Sequence, residues 1–134
     1  MLSPIQEVFE AIVDPEKMSN YWFSSGTGRL EQGKMVIWTY KEYHADVPVR
    51  VLKVEENKEI VISWGEKEQE TTVSFHFVSP NSSSTILEVT ESGFGEDVDF
   101  QNLLGQKEGW IYMLTCLKAY LENGSNNLRA SLIH

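Results

Sequence analysis

Apolar residues near the N-terminus recur at helical spacing: Ile5, Val8, Phe9 and Ile12 fall on one face. Ser3-Pro4-Ile5-Gln6 reads as the start of that helix, with Ser3 as cap, Pro4 in the first helical position and Gln6 completing a capping box. Asp14-Pro15 ends it and opens a second, short helix anchored by Met18, Tyr21, Trp22 and Phe23. Ser24 to Gly28 reads as a loop. From Arg29 the period changes to two. Val36, Trp38 and Tyr40 share a face of the run from Met35 to Tyr43, and Val47, Val49 and Val51 share a face of the run from Asp46 to Glu55. Glu59 to Trp64 is short and apolar. Val73, Phe75 and Phe77 alternate with Thr72, Ser74 and His76, and Leu87 and Val89 lie opposite Ile86, Glu88 and Thr90. Turn residues separate the runs: Glu31-Gln32-Gly33, Glu56-Asn57-Lys58, Gly65-Glu66 and Pro80 to Ser84. Short links between consecutive strands predict an antiparallel meander with one buried face. Pro48, inside a strand, marks an edge or a bulge.

A Gly-rich acidic loop, Ser92 to Asp99, precedes a long helix expected to end near Asn123, with Gly124 as its C-cap. Leu103, Trp110, Leu114, Leu117 and Leu121 fall in one arc of that helix, widened by Met113 and Tyr120. The fold class is therefore α+β: one domain over residues 1–124, a curved antiparallel sheet against a long C-terminal helix, then a polar tail over 125–134. One such helix, about 30 Å long, does not cover a sheet of this size. The space between them is filled by bulky side chains or lined by them, and the residues alone leave both open. The expected wall is Val36, Trp38, Tyr40, Val49, Val51, Ile62, Trp64, Phe75, Phe77, Trp110, Met113, Leu114 and Leu117. Trp38 and Trp110 are the expected stacking surfaces, and Tyr40 the expected hydrogen-bonding group. Lys107, one turn before Trp110, either reaches the mouth to meet an anionic headgroup or extends to solvent.

Charge and composition remove several functions. With 134 residues the chain suits one core, and a net charge of -9 without a basic patch excludes nucleic acid. The lone cysteine, Cys116, forms no intrachain disulfide. No signal peptide is visible, and the apolar stretches fall short of the ~20 residues of a bilayer span. The expectation is a cytoplasmic protein without membrane insertion. His44, His76 and His134 lack metal-ligand spacing, so no metal or other cofactor is expected. Cys116 lies off the main apolar stripe with no base nearby and reads as an inert, half-buried thiol. Gly26-Thr27-Gly28 lacks the rest of a nucleotide fingerprint. His76 and Glu88 would form an acid/base pair only if strand parity were reversed; as read, they lie on the wet face.

The order of motifs carries a resemblance over nearly the whole chain. Ser3-Pro4 with Val8-Phe9-Glu10-Ala11-Ile12, then Asp14-Pro15-Glu16-Lys17-Met18 and Tyr21-Trp22, resembles the opening of the activator of heat-shock-protein-ninety ATPase homologue family. Thr90-Glu91-Ser92-Gly93-Phe94 resembles the exit of that family's last strand. Gly109-Trp110 with Leu114, Leu117, Lys118, Tyr120-Leu121-Glu122 and Gly124 resembles its closing helix. The resemblance implies the helix-grip fold of the START-like, SRPBCC superfamily, and a cavity that takes lipids, polyketides or flavonoid-like molecules. The expected function is non-catalytic binding of such a molecule. The alternatives are a co-chaperone-like protein-interaction module using the acidic surface, and a cyclase- or hydrolase-like enzyme. The family normally has a strand before its first helix, whereas only Met1 and Leu2 precede Ser3 here. A sheet edge left open in this way is expected to favour a homodimer or be covered by the tail.

Overall fold

The computed structural model describes residues 2–23, 25–41, 44–65, 70–93 and 100–123, apart from the side chains of Ala45, 100–108 and 123. The expected Gly124 cap, the tail over 125–134 and most of the loop before the long helix lie outside the described residues.

The chain opens with α1 (Ile5–Val13) and α2 (Pro15–Met18). Ser3 is not the cap of α1. Pro4 holds the N-cap position in extended conformation without a side-chain cap bond, and its carbonyl accepts from the amides of Glu7 and Val8 at 3.0 and 3.2 Å. Ser3 is buried instead, and its carbonyl accepts the Thr85 hydroxyl at 2.8 Å. A tie to a distant strand has displaced a local cap worth about 1 kcal/mol. The start of α2 is as expected: the Asp14 side chain accepts from the Glu16 amide at 3.0 Å, with proline in the first turn.

Pro15 creates a debt at the end of α1. The Ala11 carbonyl would ordinarily accept from the amide four residues on, but that residue is Pro15, which has none. The hydroxyl of Tyr21, itself buried, donates to the Ala11 carbonyl at 2.7 Å. The Val13 carbonyl is met by the Leu30 amide at 3.1 Å. On its other side Tyr21 stacks on Tyr120, with ring centroids 5.8 Å apart.

Six strands form one antiparallel sheet in sequence order: β1 (Ser25–Gly26), β2 (Met35–Tyr40), β3 (Ala45–Glu55), β4 (Glu59–Trp64), β5 (Thr71–Asn81) and β6 (Ser84–Ser92). The sheet curls into a half-barrel against α3 (Phe100–Asn123), the helix-grip arrangement. Ser25-Gly26, expected as loop, is a short edge strand paired with Thr39 and Trp38. β5 continues through Pro80, expected in a turn, because the register shifts between Val78 and Asn81 and spares the proline a ladder bond.

Pro48 sits in β3, which has neighbours on both sides, yet it meets a local edge. The Ile37 carbonyl opposite Pro48 accepts from Thr27 on the β1 side, so the Pro48 nitrogen faces away from β2. On that far side β4 pairs only from Val49 onward. The bulge falls further along, between Val51 and Lys53. There the apolar spacing changes from Val47, Val49, Val51 to Val54. One inserted residue, the exposed Leu52, returns Val54 to the buried side.

The buried face carries Val36 and Trp38 on β2, Val49 and Val51 on β3, Ile60 and Ile62 on β4, and Val73, Phe75 and Phe77 on β5. From α3 come Met113, Cys116 and Leu117, all buried. Cys116 is thus a core residue and not half-buried, and burial raises its thiol pKa. The helix turns a face to the core about one residue away from the arc read on the leucines alone. At the far edge of the sheet β6 has β5 as its one strand neighbour among the described residues.

Burial, and then the nearby Tyr120, push the Tyr21 hydroxyl well above its ordinary value of about 10. Its folded-state pKa is raised, so its contribution to stability is complete below pH ~10 and is lost as pH rises beyond it. Tyr21→Phe, which strands the Ala11 carbonyl, is expected to cost about 1–3 kcal/mol in urea unfolding at neutral pH. Above pH ~10 the gap between the two proteins should narrow; a constant gap would mean that Tyr21 does not carry this term.

Candidate functional site

Between sheet and helix lies a continuous aromatic layer, centred on Trp22. Its ring meets Phe23, Trp38, Trp64, Phe75 and Trp110 at centroid distances of 5.0 to 6.2 Å, mostly edge to face. The chain reaches this position because α2 is short: the amides of Tyr21 and Trp22 both bond back to the Met18 carbonyl, and the turn ends with Trp22 over the sheet. Phe23 follows against Trp38 and Tyr40 at 5.1 and 5.5 Å. Trp64 and Trp110 stack on each other at 5.3 Å with an interplanar angle of 22°.

The residues expected to form the wall are brought together. Val36, Trp38, Val49, Val51, Ile62, Phe75, Phe77, Met113 and Leu117 are buried, and Tyr40, Trp64, Trp110 and Leu114 are partly buried against them. The side chain of Lys107 lies outside the described residues. Trp38 and Trp110 do not stack on a common partner plane; Trp22 stands between them, edge-on to both. Trp22 and Phe23 were legible only as anchors of the short helix, since helical spacing says nothing about what the residues after a helix end will cover.

The polar part of the site was not anticipated. The carboxylate of Glu91 accepts from Trp110 Nε1 at 2.9 Å on one oxygen. On the other it accepts from Trp64 Nε1 at 3.0 Å and from the Thr71 hydroxyl. Trp64 Nε1 also reaches Thr71 Oγ1 at 3.0 Å, so β4, β5, β6 and α3 meet at one side chain. Alternation was the available signal: Glu91 shares parity with Leu87 and Val89, and it pairs with Val73 of the buried face. The register places His76 opposite Glu88 on the other face, with Nδ1 3.8 Å from Oε2 and side chains 53% and 67% exposed. His44 is exposed in a left-handed turn, φ 51. Among the described residues, no group of His, Cys, Asp and Glu side chains is arranged to hold a metal ion. Among them, too, no helix is long and apolar enough to cross a membrane.

Family comparison agrees with this architecture. The family model "Activator of Hsp90 ATPase homolog 1-like protein" matches residues 3–122. The chain belongs to this family. Among solved structures, protein SSP2350 from Staphylococcus saprophyticus is 42% identical, with a TM-score of 0.82 over 94% of this chain and 89% of that one. The Aha1 dimer from Colwellia psychrerythraea is 20% identical, with a TM-score of 0.77 over 92% of each chain. DynU16, a protein of the dynemicin biosynthetic locus, is 19% identical with a TM-score of 0.82; the match covers 94% of this chain but 46% of that one. No curated protein matches. The two more distant structures show that the fold is shared.

Packing around Trp38 gives a test of how tightly the layer is set. A Cβ at Gly26 would stand 3.0 Å from Trp38 Cδ1 and 3.1 Å from Pro15 Cβ. Trp38 has Trp22 and Phe23 at 5.0 and 5.1 Å on its other sides, so the ring has little room to yield. Gly26→Ala is therefore expected to cost about 1–3 kcal/mol and to alter the near-ultraviolet circular dichroism of the tryptophans. An unchanged spectrum and midpoint would mean that the layer is loosely packed.

Proposed function

We propose that the chain binds a small, largely apolar molecule without catalysing its conversion, at the end of the aromatic layer where Tyr40, Trp64 and Trp110 remain partly exposed. The observation that carries this reading is the contrast along the layer. Trp38 and Phe75 are sealed, at 1% and 0% exposure, and form a fixed floor. Trp64 and Trp110, stacked between strand and helix, keep surface in reach of solvent. Large rings left half-covered beside a rigid apolar floor, with a few convergent polar atoms, are the usual composition of a small-molecule site.

A lipid, polyketide or flavonoid-like compound matches the chemistry of this surface. That DynU16, of the same fold, comes from a biosynthetic locus supports looking among small biosynthetic products. A binding role is favoured over catalysis by where the titratable groups lie. His76 and Glu88, the one acid/base pairing the sequence suggested, point away from the layer. The described hydrogen bonds of Glu91 and Thr71 tie these side chains to each other and to the tryptophans.

The test is a titration of the isotope-labelled protein with a panel of lipids, flavonoids and polyketides, following the indole N–H signals. Saturable shifts at Trp64 and Trp110, with smaller ones at Trp38, are the expected result. If no compound moves any indole signal, the rings are core and nothing more, and the acidic surface becomes the place to look for a partner.

A further inference from the structure

Glu91 stands where a carboxylate is costly. It follows Leu87 and Val89 on the inward side of β6, opposite Val73, and comes against the edges of two tryptophans. A charge in such a position is normally matched by an opposite one. Among the described residues each hydrogen-bond partner of Glu91 is neutral: two indole N–H groups and a threonine hydroxyl. Indole nitrogen can only donate, so the arrangement suits an ionised, acceptor-only carboxylate and would be disturbed by a neutral amide. Among the described residues the ion pairs use Glu10, Glu31, Glu55, Glu59, Glu88 and Glu122, and none uses Glu91.

The donors fix both oxygens without exhausting them, since a carboxylate offers about four acceptor positions. Glu91 is only partly buried, so the remaining capacity is open to a ligand. The N–H edges of Trp64 and Trp110 lie against it, and the two rings stack on each other. An anion held at the rim of half-exposed indoles is the surrounding that an organic cation prefers, through direct pairing. An anionic ligand would meet repulsion at the same point.

We infer that the molecule taken up at this site carries a protonated amine, and that Glu91 is the residue that selects it. The inference rests on the binding role proposed above and names the chemical class of the ligand. It also opposes the expectation that Lys107 greets an anionic headgroup. Glu91 fixes the charged end, while the apolar body lies along Trp64, Trp110 and Tyr40.

Matched probes of one ring system separate the possibilities: naphthylethylamine, naphthylethanol and naphthylacetate, titrated against the full chain at neutral pH by tryptophan fluorescence and by indole N–H shifts. The amine is expected to bind about tenfold more tightly than the alcohol, as a charge-assisted hydrogen bond would give, and the acetate more weakly than either. Glu91→Gln should remove the preference of amine over alcohol; the affinity for both can fall as the indoles lose an acceptor, so the ratio of the two is what is read. Glu88→Gln, on the exposed face of the same strand, should preserve it. Binding of amine and alcohol with equal affinity to the unaltered protein overturns the inference but keeps the apolar site, and so does tighter binding of the acetate. A preference that survives in a folded Glu91→Gln protein overturns it too. If none of the probes binds, the site itself is lost and the inference with it. The comparison in the unaltered protein decides the matter even if Glu91→Gln fails to fold.

Discussion

The inward face of a curved sheet has to be kept dry along its whole length, and one helix cannot do that alone. In this chain the missing cover comes from Trp22, a residue of no regular element, held over the sheet by the abrupt end of a helix of four residues. Its ring meets Trp38, Trp64, Phe75 and Trp110 in edge-to-face arrangements, so in each pair a positive ring edge meets a negative ring face. Much else follows from that placement. Asp14 and Pro15 must break the helices at the right residue, and Tyr21 must repair the carbonyl that Pro15 leaves open. Gly26 must lack a side chain for Trp38 to lie flat beneath.

Much of the architecture could be read from periodicity because burial on one face writes itself into alternate residues. Val36 and Trp38, Val73 and Phe75, and the long closing helix were legible for that reason, as were Asp14-Pro15 as a break and the apolar residues that the fold packs together. What escaped has physical causes of its own. Ser3 has the composition of a cap but is drawn away by Thr85, a contact between residues 82 positions apart that no local pattern encodes. Ser25-Gly26 is too short to show alternation. Cys116 is a small residue on the flank of a leucine stripe, and its burial depends on where the neighbouring rings leave room. Pro48 was read correctly as an edge signal, although the edge is only the place where β4 has already ended at Trp64.

Glu91 is the instructive omission. A glutamate at the end of a strand is easily taken for solvent-facing, and its parity with Val89 was the only sign otherwise. Strand β6 carries Glu88 and Glu91 three residues apart, hence on opposite faces, and the two meet different surroundings. Glu88 is an exposed carboxylate beside an exposed imidazole, in the regime where ion pairs contribute little. Glu91 organises two indoles from separate elements and joins the sheet to the closing helix. Residue type was the same; the twofold strand repeat assigned the roles.

The buried thiol on the closing helix has a use unconnected with any chemistry of its own. Cys116 is the only cysteine in the chain, it lies on the inner side of α3 beside Leu117 and Met113, and it is 1% exposed. An alkylating reagent can reach it only when that helix lifts from the sheet. The chain therefore carries a built-in clock for the opening of its own interior, one whose rate would count how often the grip relaxes and whether an occupant holds it shut.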